Sequence, residues 1–94
     1  MQAQRIPAAH TRLTTAHACL GRAICDLRTR AGLTHRQLAT ATHAHPCYIR
    51  ALEHGNVNPP FHILLNLIHG LGVTLPELIA RHQRHLETYP GRPA

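Results

Sequence analysis

Imidazole and thiol side chains are frequent in this 94-residue sequence, which contains ten His and three Cys. Such groups can bind a metal ion or form a thiol–imidazole pair for nucleophilic catalysis. His43, His45 and Cys47 lie close together, and His82 and His85 are spaced to share one face of a helix. Neither group has two further ligands at a recognised metal-binding spacing, and no nucleophile, base and orienting residue can be assembled. We therefore expect no catalytic residues, no metal site and no cofactor.

The three cysteines are odd in number and lack the C-x2-C spacing of metal and redox sites. In a reducing compartment we expect Cys19, Cys25 and Cys47 to be free thiols. A redox-sensing role is the alternative, and Cys47 is the better candidate for it.

Charge is the clearest clue to a partner. All ten basic residues are Arg, and four acidic residues leave a formal net charge of +6. A small protein with this charge favours a polyanion such as nucleic acid. No apolar run approaches the roughly 18–20 residues needed to cross a bilayer, and residues 1–18 lack the apolar region of a secretory signal. We expect a cytoplasmic protein without a membrane partner.

The elements that position these groups are predicted to be helices. Gly and Pro divide the chain into segments in which apolar residues recur at intervals of three and four. We predict an all-α protein with five helices, at about residues 16–31, 35–42, 46–55, 59 or 60 to 70, and 75–87. Residues 1–15 and 88–94 lack this periodicity, so we expect a flexible basic N-terminal arm, one domain over residues 16–87 and a flexible tail.

Local patterns set the starts of two helices and the inward face of a third. Thr34 with Gln37 and Thr74 with Glu77 are spaced as capping boxes. On the fourth helix we expect an inward face formed by Phe61, Leu64, Leu65 and Ile68.

The second and third helices are separated by three residues, a spacing that defines a helix-turn-helix. At 100° per residue, Ile49 and Leu52 point into the core. Cys47, Arg50, Ala51 and His54 then point outward. Glu53 is the single acid between Leu27 and Pro76, so this region presents little negative charge to a phosphate backbone.

The residues from Leu20 to Ala80 resemble the Cro/repressor-type (XRE-like) helix-turn-helix domain. The matching segments are LGRAICDLRTRAGLT, QLA, YIRALEHG, NPP and LGVTLPELI, in that order. The resemblance implies a compact five-helix bundle of the lambda-repressor-like type. It also implies a sequence-specific transcription regulator of double-stranded DNA, expected to be a repressor and a homodimer, whose third helix enters the major groove.

The resemblance carries over the contacts position by position. Expected base-reading positions are His45, Pro46, Cys47, Arg50 and Ala51, and expected phosphate-contacting positions are Thr34, His35, Arg36, His54 and Asn56. The sequence departs from the family at His35, where Gln is usual, and at Pro46 and Ala51, where polar or basic residues are common. Arg50 can make a bidentate guanine contact or a backbone contact. His43 replaces a turn Gly, at a site that commonly requires positive φ.

An ion pair is expected between Arg28 and Glu53. Glu53 lies in the last turn of the third helix, where the helix dipole disfavours a negative charge, so it needs a cation. The family pattern supplies the first-helix arginine that matches Arg28. The pair would be structural, joining the first helix to the third.

Two points stay open at this stage. The same fold also serves as an antitoxin or another protein-interaction module, so a protein partner is the alternative to DNA. The N-terminal arm, with Arg5, His10 and Arg12, could follow phosphates or the minor groove.

Overall fold

The computed structural model describes the backbone of residues 7–90 and the side chains of residues 15–90. Within that range the chain forms five helices and no strand, which confirms the all-α prediction. The helices are α1 (Pro7–Arg30), α2 (His35–Ala41), α3 (Pro46–Glu53), α4 (Phe61–Leu71) and α5 (Leu75–Thr88).

Helix α1 begins earlier than predicted. The apolar stripe suggested a start near Ala16, but residues 7–15 are helical as well. Pro7 suits a first helical position, where its missing N–H is not needed, and no Gly or Pro follows before Gly21. A helix can therefore extend beyond the stripe that packs on the core. Arg5 and residues 91–94 lie outside the described residues, as do the side chains of His10 and Arg12.

Both predicted capping boxes are confirmed. Thr34 Oγ1 accepts from the Gln37 amide at 3.0 Å, and Gln37 Oε1 accepts from the Thr34 amide at 2.9 Å. At the start of α5, Thr74 and Glu77 make the same exchange at 3.2 and 2.8 Å. The backbone bond lowers the pKa of the Glu77 carboxyl below its usual value. These bonds define the first turns of α2 and α5.

All five helices contribute to one aliphatic core. Its buried side chains are Ala23, Ile24, Leu27, Leu38, Ala39, Ile49, Leu52, Leu67, Ile68, Leu71 and Leu78. At its margin, Asp26 of α1 contacts α5, accepting from His85 Nε2 at 2.5 Å and lying 3.7 Å from Arg81 Nη1.

The predicted inward face of α4 is partly wrong. Ile68 is buried and Leu64 half-buried, but Phe61 is 62% exposed and Leu65 is 40% exposed. The helix packs along a stripe that also includes Leu67 and Leu71. At 100° per residue, Phe61 lies about 70° and Leu65 about 110° from the centre of that stripe. Both side chains therefore fall at its outer edge.

A close approach between α1 and α3 depends on Gly21. A Cβ at this position would lie 2.4 Å from the Leu52 carbonyl oxygen and 2.6 Å from that of Glu53. On the opposing segment, Gly55 has φ 77°, and a Cβ there would lie 2.9 Å from Ala18 Cα. Glycine at these two positions lets the carboxyl end of α3 rest directly on α1.

Candidate nucleic-acid interface

The turn between α2 and α3 is tight and carries a left-handed residue. His43 has φ 57°, in the region usually occupied by Gly. The Ala44 amide donates to the Ala39 carbonyl at 2.8 Å, and the buried Thr42 hydroxyl donates to the Leu38 carbonyl at 2.9 Å. In the family that the sequence resembles, this turn position is commonly Gly. The turn conformation is the same here, but a histidine adopts it at a cost in free energy.

Helix α3 is held by its apolar side and offers its polar side to solvent. Ile49 and Leu52 are fully buried in the core, whereas Cys47, Arg50 and His54 are exposed. The outward face computed from helical geometry is therefore the face that the structure leaves open. We call the surface formed by α3 and the first turn of α2 the helix-turn-helix face.

The ten residues with predicted contacts to DNA differ in how exposed they are. Those that are exposed are Thr34, Arg36, His45, Cys47, Arg50, His54 and Asn56, and those that are half-buried are His35, Pro46 and Ala51. Of the ten expected contact positions, the structure thus leaves seven exposed and three half-buried.

Glu53 is the centre of a three-residue cluster beneath this face. Arg28 Nε donates to Glu53 Oε2 at 2.6 Å, and Arg28 Nη2 donates to Oε1 at 3.2 Å. His35 Nε2 lies 2.9 Å from the same Oε1. The side chains of Arg28 and Glu53 are 14% and 6% exposed, so the pair is largely shielded from water. Three helices meet at this one carboxylate.

Burial alone would raise the pKa of the Glu53 carboxyl. The hydrogen bonds from Arg28 and His35 outweigh that effect, so the pKa lies below its usual value. The hydrogen bond to Glu53 likewise raises the pKa of the Arg28 guanidinium. Both groups are charged at neutral pH. Arg28 Nη1 also donates to the Leu33 carbonyl at 2.8 Å, which ties the cluster to the loop before α2.

The contact between His35 and Glu53 lies outside what sequence reasoning found. The resemblance placed His35 at a phosphate-contacting position, but its Nε2 atom is used within the protein. No local signal could identify this partner, because the two residues are 18 positions apart and on different helices.

Two more histidines cap α3 itself. His45 Nδ1 accepts from the Cys47 amide at 3.1 Å and so acts as the N-cap. His54 Nδ1 lies 2.7 Å from the Arg50 carbonyl and can donate to it at the other end. In each ring the Nε2 atom is not used by these bonds. The lone pair of His45 Nδ1 is therefore engaged within the protein, at the start of α3.

The described residues contain no group of three or more His, Cys, Asp or Glu side chains that could hold a metal ion. The thiols of Cys19, Cys25 and Cys47 are free. Burial raises the pKa of the Cys19 thiol. Cys25 Sγ lies 3.8 Å from Arg28 Nη2.

Over the described range, no single helix is both long and apolar enough to cross a membrane, although the bent pair α4 and α5 together would be long and apolar enough.

Comparisons with known proteins agree with this geometry. A family model described as a helix-turn-helix domain matches residues 20–81. The crystal structure of the clp gene regulator ClgR from Corynebacterium glutamicum is 28% identical, with a TM-score of 0.71 over 73% of this chain and 88% of that chain. The restriction-modification controller protein C.AhdI from Aeromonas hydrophila is also 28% identical, with a TM-score of 0.63 over 65% of this chain and 92% of that one. No curated protein matches the sequence.

Proposed function

This chain belongs to the helix-turn-helix domain family, and from that premise we propose that it is a sequence-specific DNA-binding transcription regulator. The names of the two structures given above describe a clp gene regulator and a restriction-modification controller protein. Membership in this family assigns the chain to regulators rather than to enzymes.

The observation that carries the proposal is the orientation of α3. Its apolar residues are buried, while Cys47, Arg50 and His54 are exposed beside an acid-poor surface. An α-helix presented in this way fits the width of the DNA major groove. We therefore assign α3, from Pro46 onward, as the helix that enters the groove.

Base reading would depend on few side chains. Of the five assigned positions, Arg50 carries the guanidinium that can pair with both guanine acceptors. His45 and Cys47 offer single polar contacts, and Pro46 and Ala51 offer apolar contacts, for example to a thymine methyl. Sequence selectivity in this protein would therefore centre on Arg50.

Phosphate contacts would surround that centre. Thr34 caps α2, His35 and Arg36 begin it, and His54 and Asn56 follow α3. Because the Thr34 and Gln37 amides are used in the capping box, phosphates would be bound mainly by side chains here. Because His35 Nε2 contacts Glu53, its Nδ1 atom would be the one that reaches a phosphate.

We further propose that the protein binds as a cytoplasmic homodimer and acts as a repressor, by occupying its operator. Exposed apolar side chains on α4 and α5, at Phe61, Leu65 and Ile79, support a protein contact on that side of the molecule. A two-fold dimer would place two α3 helices on half-sites about one helical turn apart.

Selection of bound duplexes from a random pool tests this proposal. We expect a two-fold-related motif with half-sites about 10 base pairs apart. Arg50→Ala should weaken binding to that motif by about 5–150-fold, from the 1–3 kcal/mol of one bidentate contact. Arg84→Ala is the matched control, because it removes one exposed arginine from α5, and it should retain affinity. Relaxed selectivity at one base would assign Arg50 to guanine, and uniform weakening would assign it to the backbone.

The alternative is an antitoxin-like or other protein-interaction module, which the exposed apolar residues of α4 and α5 also fit. A salt titration on random duplex separates the two. A DNA-binding protein with several phosphate contacts loses affinity steeply with salt. Absence of duplex binding even at low salt would contradict the regulator assignment and favour the protein partner.

A further inference from the structure

Helices α1 and α5 meet along a seam with two open depressions. The first, of about 150 Å³, is lined by Leu27, Arg30, Glu77, Ala80, Arg81 and Arg84. The second, of about 240 Å³, is lined by Arg22, His85, Thr88, Tyr89 and Pro90. Asp26 joins the two depressions, because it contacts Arg81 of the first and His85 of the second. We call this surface the α1–α5 seam.

The acids of the α1–α5 seam already have partners within the protein. The Asp26 carboxylate accepts from His85 Nε2 and lies 3.7 Å from Arg81 Nη1. The Glu77 carboxylate accepts from a backbone amide in the capping box of α5. Glu87, the other acid of α5, lines neither depression. These carboxylates therefore leave part of the positive charge of the seam unpaired.

The arginines of the seam are less engaged. Arg22, Arg30 and Arg84 are exposed, and no salt bridge among the described residues involves them. With Arg81 they give the seam four guanidinium groups against the two carboxylates of Asp26 and Glu77. This excess of two positive charges equals the number of exposed arginines on the helix-turn-helix face. The basic character of the protein is therefore not confined to the surface assigned to DNA.

The α1–α5 seam lies on a different side of α1 from the contact with α3. Gly21 and Arg28 face α3, where they meet the carboxyl end of that helix. At 100° per residue, Arg22, Asp26 and Arg30 lie about 150° around α1 from those two residues. DNA bound to the outer face of α3 would therefore leave the seam open to a second partner.

We propose that the α1–α5 seam binds an acidic segment of a partner protein, whose carboxylates pair with Arg22, Arg30 and Arg84. A guanidinium group is a planar fork of donors that matches the two oxygens of a carboxylate. Arg22 and Arg30 are eight residues apart on one helix, which separates their backbone positions by about 12 Å. An extended segment rises about 3.3 Å per residue, so acidic residues four positions apart, on the same side of the segment, would reach both arginines.

Titration of the full chain with hexaglutamate at low salt, followed by NMR of the arginine Nε–H groups, tests the proposal. In an extended conformation this peptide spans about 20 Å and can reach both depressions. We expect saturable shifts of the Nε–H signals of Arg22, Arg30 and Arg84. Hexaglutamine has the same length without the charge, and it should produce no saturable shift. No saturable shift of these signals with hexaglutamate would overturn the proposal, as would equal binding of hexaglutamine.

Two double variants with the same net charge separate the seam from general attraction to a basic protein. Arg30→Ala, Arg84→Ala removes two exposed arginines from the seam, and Arg36→Ala, Arg50→Ala removes two from the helix-turn-helix face. The seam variant should bind hexaglutamate about 2–30-fold more weakly, the loss expected for two exposed ion pairs. The other variant should retain the affinity of wild type. Equal losses in both variants would mean that net charge alone holds the peptide, and would refute the site.

Binding of random duplex DNA tests the competing occupant. The assay is run at about 0.15 M salt, where charges more than about 8 Å apart are largely screened. The seam variant should bind duplex as tightly as wild type, because the seam lies away from the contact between α1 and α3. A loss of duplex affinity as large as that of the Arg36→Ala, Arg50→Ala variant would assign the seam to the DNA backbone and refute the protein partner. Because peptide binding is measured without DNA, its outcome is independent of the proposed function.

Discussion

Removal of the Arg28 side chain should destabilise the fold much more than removal of a neighbouring arginine on the same helix. Arg28→Ala leaves the Glu53 carboxylate, 6% exposed, with His35 as its remaining partner, and it also removes the donor to the Leu33 carbonyl. Loss of one partner from a buried ion pair costs about 3–5 kcal/mol. Because His35 still contacts Glu53, we expect the lower end, about 3 kcal/mol. Arg30→Ala removes an exposed arginine and should change stability by no more than about 0.5 kcal/mol.

Urea denaturation at pH 7, followed by far-ultraviolet circular dichroism, measures both variants. In a thermal melt of a domain of this size, a destabilisation of 3 kcal/mol corresponds to a decrease in Tm of roughly 12–24 °C. The double variant Arg28→Ala, Glu53→Ala removes the stranded charge and should be more stable than the sum of the single effects predicts, by about 1–3 kcal/mol. Equal unfolding midpoints for Arg28→Ala and Arg30→Ala, or no coupling in the double-mutant cycle, would refute the assignment of Glu53 as the buried junction of α1, α2 and α3.

Four other predictions follow from particular contacts. Replacing Gly by Ala inside a helix usually stabilises the folded protein by about 1 kcal/mol. Gly21→Ala should instead destabilise it by about 1–3 kcal/mol, because the new Cβ would lie 2.4 Å from the Leu52 carbonyl oxygen. A Tm higher than that of wild type would contradict the close approach of α1 and α3. Glu53 has a lowered pKa in the folded state, so the stability advantage of wild type over Glu53→Gln should be full near neutral pH and should decrease as pH falls below the unfolded-state pKa of about 4.3. Tm values measured between pH 7 and pH 3 test this, and an advantage that does not decrease over that range would be inconsistent with it. His82 also has a lowered pKa in the folded state, so the unfolded chain binds more protons and the stability should fall as pH drops below about 6.5. His82→Phe should lose that part of the pH dependence. Identical plots of Tm against pH for wild type and His82→Phe would exclude this contribution of His82. His43→Gly should stabilise the folded protein by about 0.5–1 kcal/mol, because Gly adopts φ 57° without the strain of a side chain. A lower Tm in thermal melts would mean that the His43 ring makes a compensating contact.

Interactions between residues close in sequence were the predictable part of this fold. The capping boxes at Thr34 and Thr74 each depend on a partner three residues away, so the sequence alone locates the starts of α2 and α5. The same is true of the two faces of α3, because helical periodicity separates Ile49 and Leu52 from Arg50 once that segment is known to be helical.

Interactions between helices gave no such local signal, and the one that was expected, between Arg28 and Glu53, took its partner from the family resemblance. The exposure of Phe61 and Leu65 reflects the rotation of α4 against its neighbours, and a stripe of apolar residues leaves that rotation undetermined. The lone Gly21 within a helical pattern was a visible signal of a close approach, but its partner on α3 lies about thirty residues away. The pairing of His35 with Glu53 gave no local signal, because it depends on where α2 ends up relative to α3.

By itself the amino-acid sequence determined an all-helical chain, the start of each short helix and the polar side of α3, because periodicity and capping act within about four residues. Tertiary packing decided which imidazoles contact a carboxylate or a carbonyl rather than remain available to DNA. It also decided that His82 Nδ1 would be buried without a hydrogen-bond partner among the described residues, since that outcome depends on how separate helices pack together.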